Sequence, residues 1–198
     1  MLVITDEYIT QTVAPTAEPV SRTEAKLHLR VDISTDDSLI DSLIQAAREY
    51  VEIYTGRAFV RRTYRADISY FYNEMQLPKK PIVSISHIKY YNTASPSVLT
   101  TLATSNYALD RDIVKLAYGG TWPAVYPFNN AVQITYVSGY APTSSPDVEA
   151  ENVPAAVKAA MLILIGDMYE NREAQIVGTI IQDNKTVMML LNTYRVYK

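Results

Sequence analysis

Helical periodicity in this chain is confined to its two ends, and most of the aromatic residues lie between them. Of the 20 aromatic residues, 14 fall in residues 57–140. Amphipathic helices bury their apolar stripes most readily against one another. The two ends therefore have to meet across the segment that separates them. The pattern predicts an α+β fold: a small helical core made from residues 18–56 and 152–198, with a β-rich antiparallel insertion at residues 57–140. Residues 141–151, a Pro/Ser/acid stretch, read as a linker, and residues 1–17 as an N-terminal arm.

The helical signals are local and physical. Ser21 and Glu24 have the spacing of a capping box, in which hydroxyl and carboxylate each satisfy an orphan N–H. That helix runs to about Arg30. A second starts at Ser34 to Asp37, where acids suit the positive end of a helix. Leu39, Ile40, Leu43, Ile44, Ala47, Tyr50, Val51 and Tyr54 then recur at helical spacing, and Gly56 is a natural stop. At the far end Pro154 suits a first helical position. Residues Ala155 to Tyr169 are apolar nearly all round, the pattern of a buried central helix. Gln175 to Ile181 fits no single element, and Asp183 is placed to cap a last helix carrying Val187, Met188, Leu190, Leu191 and Tyr194.

The middle reads as four to six short antiparallel strands. Phe59 to Ser69, the run around Ile82 to Tyr90, Asp112 to Tyr118 and Ala131 to Val137 are rich in β-branched and aromatic residues. In the last, Val132, Ile134 and Tyr136 alternate with Gln133, Thr135 and Val137. Turn signals such as Gly119-Gly120 and Asn129-Asn130 separate the runs.

Composition removes several kinds of chemistry. There is no cysteine, which excludes a disulfide scaffold, a thiol nucleophile and Cys-ligated metal. Two histidines, His28 and His87, are too few for a multi-His site; they read as a helix-surface and a cross-strand residue. No phosphate-cradling glycine loop or nucleophile elbow occurs. The expectation is therefore no catalytic residue, no cofactor and no metal. Met1 to Glu7 lacks a basic n-region, and Ala159 to Ile165 is far shorter than the ~20 residues of a membrane span. A soluble protein made in a cytoplasm, without a membrane partner, is expected.

Charge is divided as unevenly as the aromatics. Residues 1–56 carry 4 basic and 10 acidic groups (−6), residues 57–140 carry 9 and 4 (+5), and residues 141–198 carry 5 and 7 (−2). Asp36, Asp37 and Asp41 cluster at a helix start. Arg57, Arg61, Arg62 and Arg65 cluster beside Phe59 and Tyr64. The arginines fit three uses: a solvated edge strand, a contact between subunits, or phosphate binding. Asp167 and Glu170 interrupt the apolar helix, so they either emerge from the core or pair with Arg172 or a neighbouring subunit.

The order of these segments resembles a known family. EPVSRTEAKLHLRVD (Glu18 to Asp32) and DDSLIDSLIQAAREYVEIYTGRAF (Asp36 to Phe59) look like its opening helices. LPKKPIVSISHIKYY (Leu77 to Tyr91) is similar to its central strand, and TYVSGYA (Thr135 to Ala141), VPAAVKAAMLILIGDMYENRE (Val153 to Glu173) and LLNTYRV (Leu190 to Val196) complete the order. The family is the head–tail connector, or adaptor, family of tailed bacteriophages and prophages. The resemblance covers most of residues 18–198 and implies a structural, non-enzymatic protein of the virion, assembled in the bacterial host cytoplasm and sited at the portal vertex. It implies a ring, usually a dodecamer, beneath the portal protein. Such a ring extends the channel through which genomic DNA passes without sequence-specific binding, and it offers a platform for a stopper or tail-completion protein. A family arm that contacts the portal would map onto residues 173–198, with Ile176, Ile180, Met188, Leu191, Tyr194 and Arg195 as docking positions. The ring in turn suggests that Arg57, Arg61, Arg62 or Arg65 pairs with Asp36, Asp37 or Asp41 of a neighbouring subunit. The alternatives are a stopper or tail-completion protein of the same particle, and a DNA-binding module using the Arg57–Arg65 strand. An enzyme acting on polysaccharide through paired carboxylates is a third class.

Overall fold

The computed structural model describes residues 1–15, 17–140, 153–171 and 184–197. In chain order the elements are β1 (Leu2–Val3), β2 (Ile9–Val13), α1 (Arg22–Leu29), α2 (Asp37–Thr55), β3 (Arg62–Ile68), β4 (Glu74–Gln76), β5 (Ile82–Tyr91), β6 (Leu99–Thr101), β7 (Tyr107–Asp110), β8 (Ile113–Leu116), β9 (Val132–Ser138), α3 (Ala155–Glu170) and α4 (Lys185–Asn192). The fold is α+β. The chain divides into a β unit, Met1–Pro15 with Arg61–Ala141, and a helical unit, Thr16–Val60 with Pro142–Lys198.

In the helical unit the local signals act as expected. The Ser21 hydroxyl accepts from the Glu24 N–H at 3.2 Å, and the Glu24 carboxylate accepts from the Ser21 N–H at 2.8 Å. Arg30 ends α1 in the left-handed region (φ 57°), and Gly56 ends α2 there (φ 71°), a conformation that glycine takes without penalty. Ile40, Ile44, Ala47 and Val51 of α2 pack with α3 residues Val157, Ala160, Met161 and Ile165, and α4 adds Val187 and Leu191 to this core. Two expectations are corrected. Tyr50 lies off the α2 stripe and is 46% exposed. Only one stripe of α3 is fully buried, because Leu162, Ile163 and Leu164 are half-exposed. Asp167 and Glu170 are exposed, so that end of α3 emerges from the core; Arg172 lies outside the described residues.

The cap of α4 is Asn184, whose side-chain oxygen accepts from the N–H groups of Thr186 (3.2 Å) and Val187 (3.3 Å). Asp183 lies outside the described residues. Asn184→Ala should cost about 1 kcal/mol, read as a fall in the urea midpoint of unfolding. An unchanged midpoint would show that this cap does not hold α4.

The β unit has two sheets. The five-stranded sheet, in the order β2-β3-β9-β5-β6, is antiparallel throughout; the four-stranded one, β1-β4-β8-β7, has a parallel β1–β4 pair. Alternation decides what is buried: Arg62, Tyr64, Ala66 and Ile68 of β3 face inward with Val132, Ile134, Tyr136 and Ser138 of β9. Strands are more numerous than the sequence suggested because β1, β4 and β6 are only two or three residues long. Of residues 1–17, set apart by sequence as an arm, the first 15 belong to the β unit and supply β1 and β2. Ile4 is buried, Ile9 pairs with Ala66, and Asp6 forms an ion pair with Lys79 at 3.3 Å. Arg57–Val60, assigned by composition to the insertion, belong to the helical unit.

Candidate assembly surfaces

The acidic start of α2 is matched within the chain. Arg22 and Lys26 stand one turn apart on α1, and Asp37 and Asp41 one turn apart on α2, so the two rows can meet. Lys26 Nζ lies 2.6 Å from Asp37 Oδ1, and Arg22 Nε donates to Asp41 Oδ1 at 2.7 Å while its Nη2 bonds the other oxygen. These bonds hold the Asp41 carboxyl below the usual carboxylate range and raise the Arg22 guanidinium. Asp36 accepts a hydrogen bond from the Tyr169 hydroxyl at 2.6 Å, which ties α3 to the start of α2. All three acids singled out by sequence thus have partners of their own.

The four arginines separate. Arg57 Nε donates to the Tyr194 carbonyl at 2.5 Å, inside the helical unit. Arg62 is only 7% exposed, because it takes an inward position of β3, and its Nη1 donates to Gln11 Oε1 at 3.1 Å. Arg65, on the outward register, pairs with Asp67 at 3.0 Å. Arg61 has no carboxylate partner among the described residues. The sequence cluster is therefore not one basic patch.

The C-terminal positions also divide. Leu191 is fully buried in the helical core, so its side chain is already spent and does not fit a docking role. Met188 and Tyr194 are half-buried, Arg195 is exposed, and Ile176 and Ile180 lie outside the described residues. Residues 192–197 lie along the end of α2. The Tyr54 hydroxyl donates to Asn192 Oδ1 at 2.7 Å, and the Val196 N–H donates to the Thr55 carbonyl at 2.8 Å. The Arg195 guanidinium sits 5.2 Å from the Tyr54 ring centroid and 5.5 Å from that of Tyr197, within reach of cation–π attraction. Tyr50 stacks on Tyr54 at 6.3 Å, and Ile53 beside them is 78% exposed. Sequence reasoning missed this aromatic end of α2. The signal was present, since Ile53 is an apolar residue off the Ile40–Ile44–Ala47–Val51 stripe.

In the β unit, Phe71 stacks on Trp122 at 4.7 Å, with Tyr90 at its edge, and Phe128 packs against Tyr91 at 5.0 Å. A cleft of about 430 Å³ lies between Leu2–Ile4, Tyr8, Asp67 and Tyr72. His87 is half-buried on β5; burial, then Lys89, lowers its pKa. His28 is exposed, and its Nε2 would stand 3.7 Å from a Cβ placed on Gly166 of α3. Among the described residues no cluster of three His, Asp or Glu could hold a metal ion, and no helix is long and apolar enough to cross a membrane.

Solved structures share this fold. The fold is similar to that of a chain in the neck of an empty gene transfer agent (GTA) particle computed with C6 symmetry (TM-score 0.75, 20% identity, 96% of each chain covered). It is equally similar to a chain in the virion of a native gene transfer agent particle (TM-score 0.76, 21% identity, 96% of each chain). A third similar chain is from the neck of a native GTA particle computed with C12 symmetry (TM-score 0.67, 18% identity, 94% of this chain and 96% of that one). At these identities the likeness is one of fold. By sequence, residues 23–108, from α1 into β7, match the phage gp6-like head-tail connector protein family. None of the curated proteins matches the chain.

Proposed function

We propose that this protein is a structural subunit of a phage-like head–tail connector. The observation that carries the reading is the joint match: a neck-particle fold over 96% of the chain together with the connector family over residues 23–108. In this reading the subunits repeat as a ring beneath a portal protein, and the ring continues the DNA channel and receives a stopper or tail-completion protein. The sixfold and twelvefold symmetries of the similar neck structures support repetition around an axis. The reading assigns no catalytic residue and no cofactor. For the portal contact it retains Met188 and Tyr194, whose side chains are partly accessible, with Ile176 and Ile180. For charge pairing between subunits it retains Arg61, and Arg65 at its exposed edge.

Deletion of the gene from the parent particle tests the reading. Heads that have lost their DNA should accumulate beside free tails in electron micrographs of the lysate. Intact, tailed and infectious particles would overturn it. A stopper differs from a connector in its partner: a connector co-purifies with portal protein in particles that lack every later neck component.

A further inference from the structure

The helical unit has two exposed apolar surfaces that do not overlap, at opposite ends of α2. One is the α1–α2 corner, where Leu27 is 80% and Ile33 61% exposed. The Lys26 ammonium binds the Ile33 carbonyl at 2.8 Å and Asp37 at 2.6 Å, so this corner is braced. The other is the aromatic end, where Tyr50 and Ile53 are exposed and Tyr197 is 74% exposed. Between Asp37 and Ile53 the helix rises ~24 Å at ~1.5 Å per residue. The two surfaces therefore belong to different ends of one rigid element.

The aromatic end is built for contact. Exposed tyrosines with an arginine between them are the residues enriched at binding hot spots. Here the Tyr50–Tyr54 stack, the Tyr54–Asn192 hydrogen bond and the Arg195 guanidinium hold them before any partner arrives, which lowers the ordering cost of association.

Charge names the partner. The corner carries Arg30 and Asp32, both exposed and neither in an ion pair among the described residues. The aromatic end carries Glu49, whose nearest cation is Arg48 at 3.7 Å, and Arg195, whose guanidinium rests on rings rather than on a carboxylate. One surface offers a cation and an anion around an apolar pair; the other offers an anion and a cation around an aromatic set. We infer that the α1–α2 corner of one copy docks on the aromatic end of α2 of the next copy, with Arg30 facing Glu49 and Asp32 facing Arg195. Two different surfaces on one subunit make a head-to-tail contact, the kind that closes into a ring when the rotation permits. This inference rests on the connector reading and specifies its subunit contact.

The chain has no cysteine, so single cysteines can be placed without background. Leu27→Cys and Ile53→Cys, both at exposed positions, are combined in one chain and supplied to cells that produce the parent particle without its own copy of the gene. Purified particles are then treated with a short bismaleimide and the bands resolved under denaturing conditions. A ladder of covalent multimers is expected from the double variant, at most a trace from either single variant. Arg30→Glu should deplete the protein from particles at least tenfold, and Glu49→Arg in the same chain should restore it. Incorporation of the protein with no ladder, or with equal cross-linking by the single variants, would overturn the surface and leave the connector reading standing. Absence of the unaltered protein from purified particles would overturn both.

Discussion

Arg48→Ala should destabilise the helical unit by about 3–5 kcal/mol, the range for breaking a buried ion pair. Arg48 is 5% exposed on the inner side of α2. Its Nε donates to Glu18 at 2.7 Å and its Nη1 to Glu52 at 3.3 Å. Glu52 is 6% exposed and accepts the Phe59 N–H at 2.9 Å. The cluster thus ties the segment before α1, the last turns of α2 and the chain beyond Gly56 at one point. Burial opposes the charge on Arg48, but the carboxylates of Glu18 and Glu52 outweigh it and hold the guanidinium above its ordinary pKa. Alanine removes the cation from beside a buried carboxylate and leaves a cavity as well. At ~2–4 °C per kcal/mol for a chain of this size, the melting midpoint should fall by roughly 10 °C. Glu52→Gln should cost much less, because its amide oxygen can still accept from Phe59. If both variants melt within a degree of the unaltered protein, the cluster does not secure this junction.

The second large effect lies in the β unit. Tyr136 is fully buried at the centre of β9, stacks on Tyr64 at 5.8 Å and donates its hydroxyl to the Pro78 carbonyl at 3.2 Å. Tyr136→Ala should cost about 3–5 kcal/mol, as for other large aromatic truncations in cores. Tyr136→Phe keeps the ring and should cost about 1 kcal/mol for the lost hydrogen bond. The phenol also links stability to pH. Burial first, then the charges of Tyr64 and Asp6, push its pKa far above the ordinary tyrosine value. In the unfolded chain it ionises near ~10, so above that pH the folded state holds a proton that the unfolded state has lost. This stabilising contribution is complete below pH ~10 and declines as pH rises, by up to ~1.4 kcal/mol per pH unit. Tyr136→Phe should flatten the alkaline limb of the stability curve by about one proton. An unchanged slope would mean that Tyr136 ionises as freely folded as unfolded.

What the sequence made legible was what a single element decides for itself. The Ile40–Ile44–Ala47–Val51 stripe with Gly56 behind it, and the Val132–Ile134–Tyr136 alternation, have no other good solution, and both occur where expected. Elements that depend on a distant partner were not readable. Ile9–Val13 becomes a strand because β3 is there to pair with it, and nothing in five residues announces that. The assembly surfaces show the same limit. Asp37 and Asp41 look like free charges until α1 brings Lys26 and Arg22 to them. Arg62 looks like its neighbours until the register of β3 turns it inward. Arg48 and Glu52 were readable in part, since one lies four residues after Ile44 and the other directly follows Val51, positions where a charge must be buried with a counter-charge or expelled.

The division of the helical unit into segments on either side of the β unit has a consequence in time. Ser138, the last residue of β9, leaves the ribosome before α3 and α4 do. Because domains fold as they emerge, the β unit can close while α1 and α2 still wait for the helices that complete their core. The aromatic end of α2 waits longer still, because Arg195 and Tyr197 follow α4 in the chain. A nascent chain thus carries the α1–α2 corner but not the surface proposed to receive it. Chains crowded on one messenger would be kept from joining until synthesis of each has passed Tyr197.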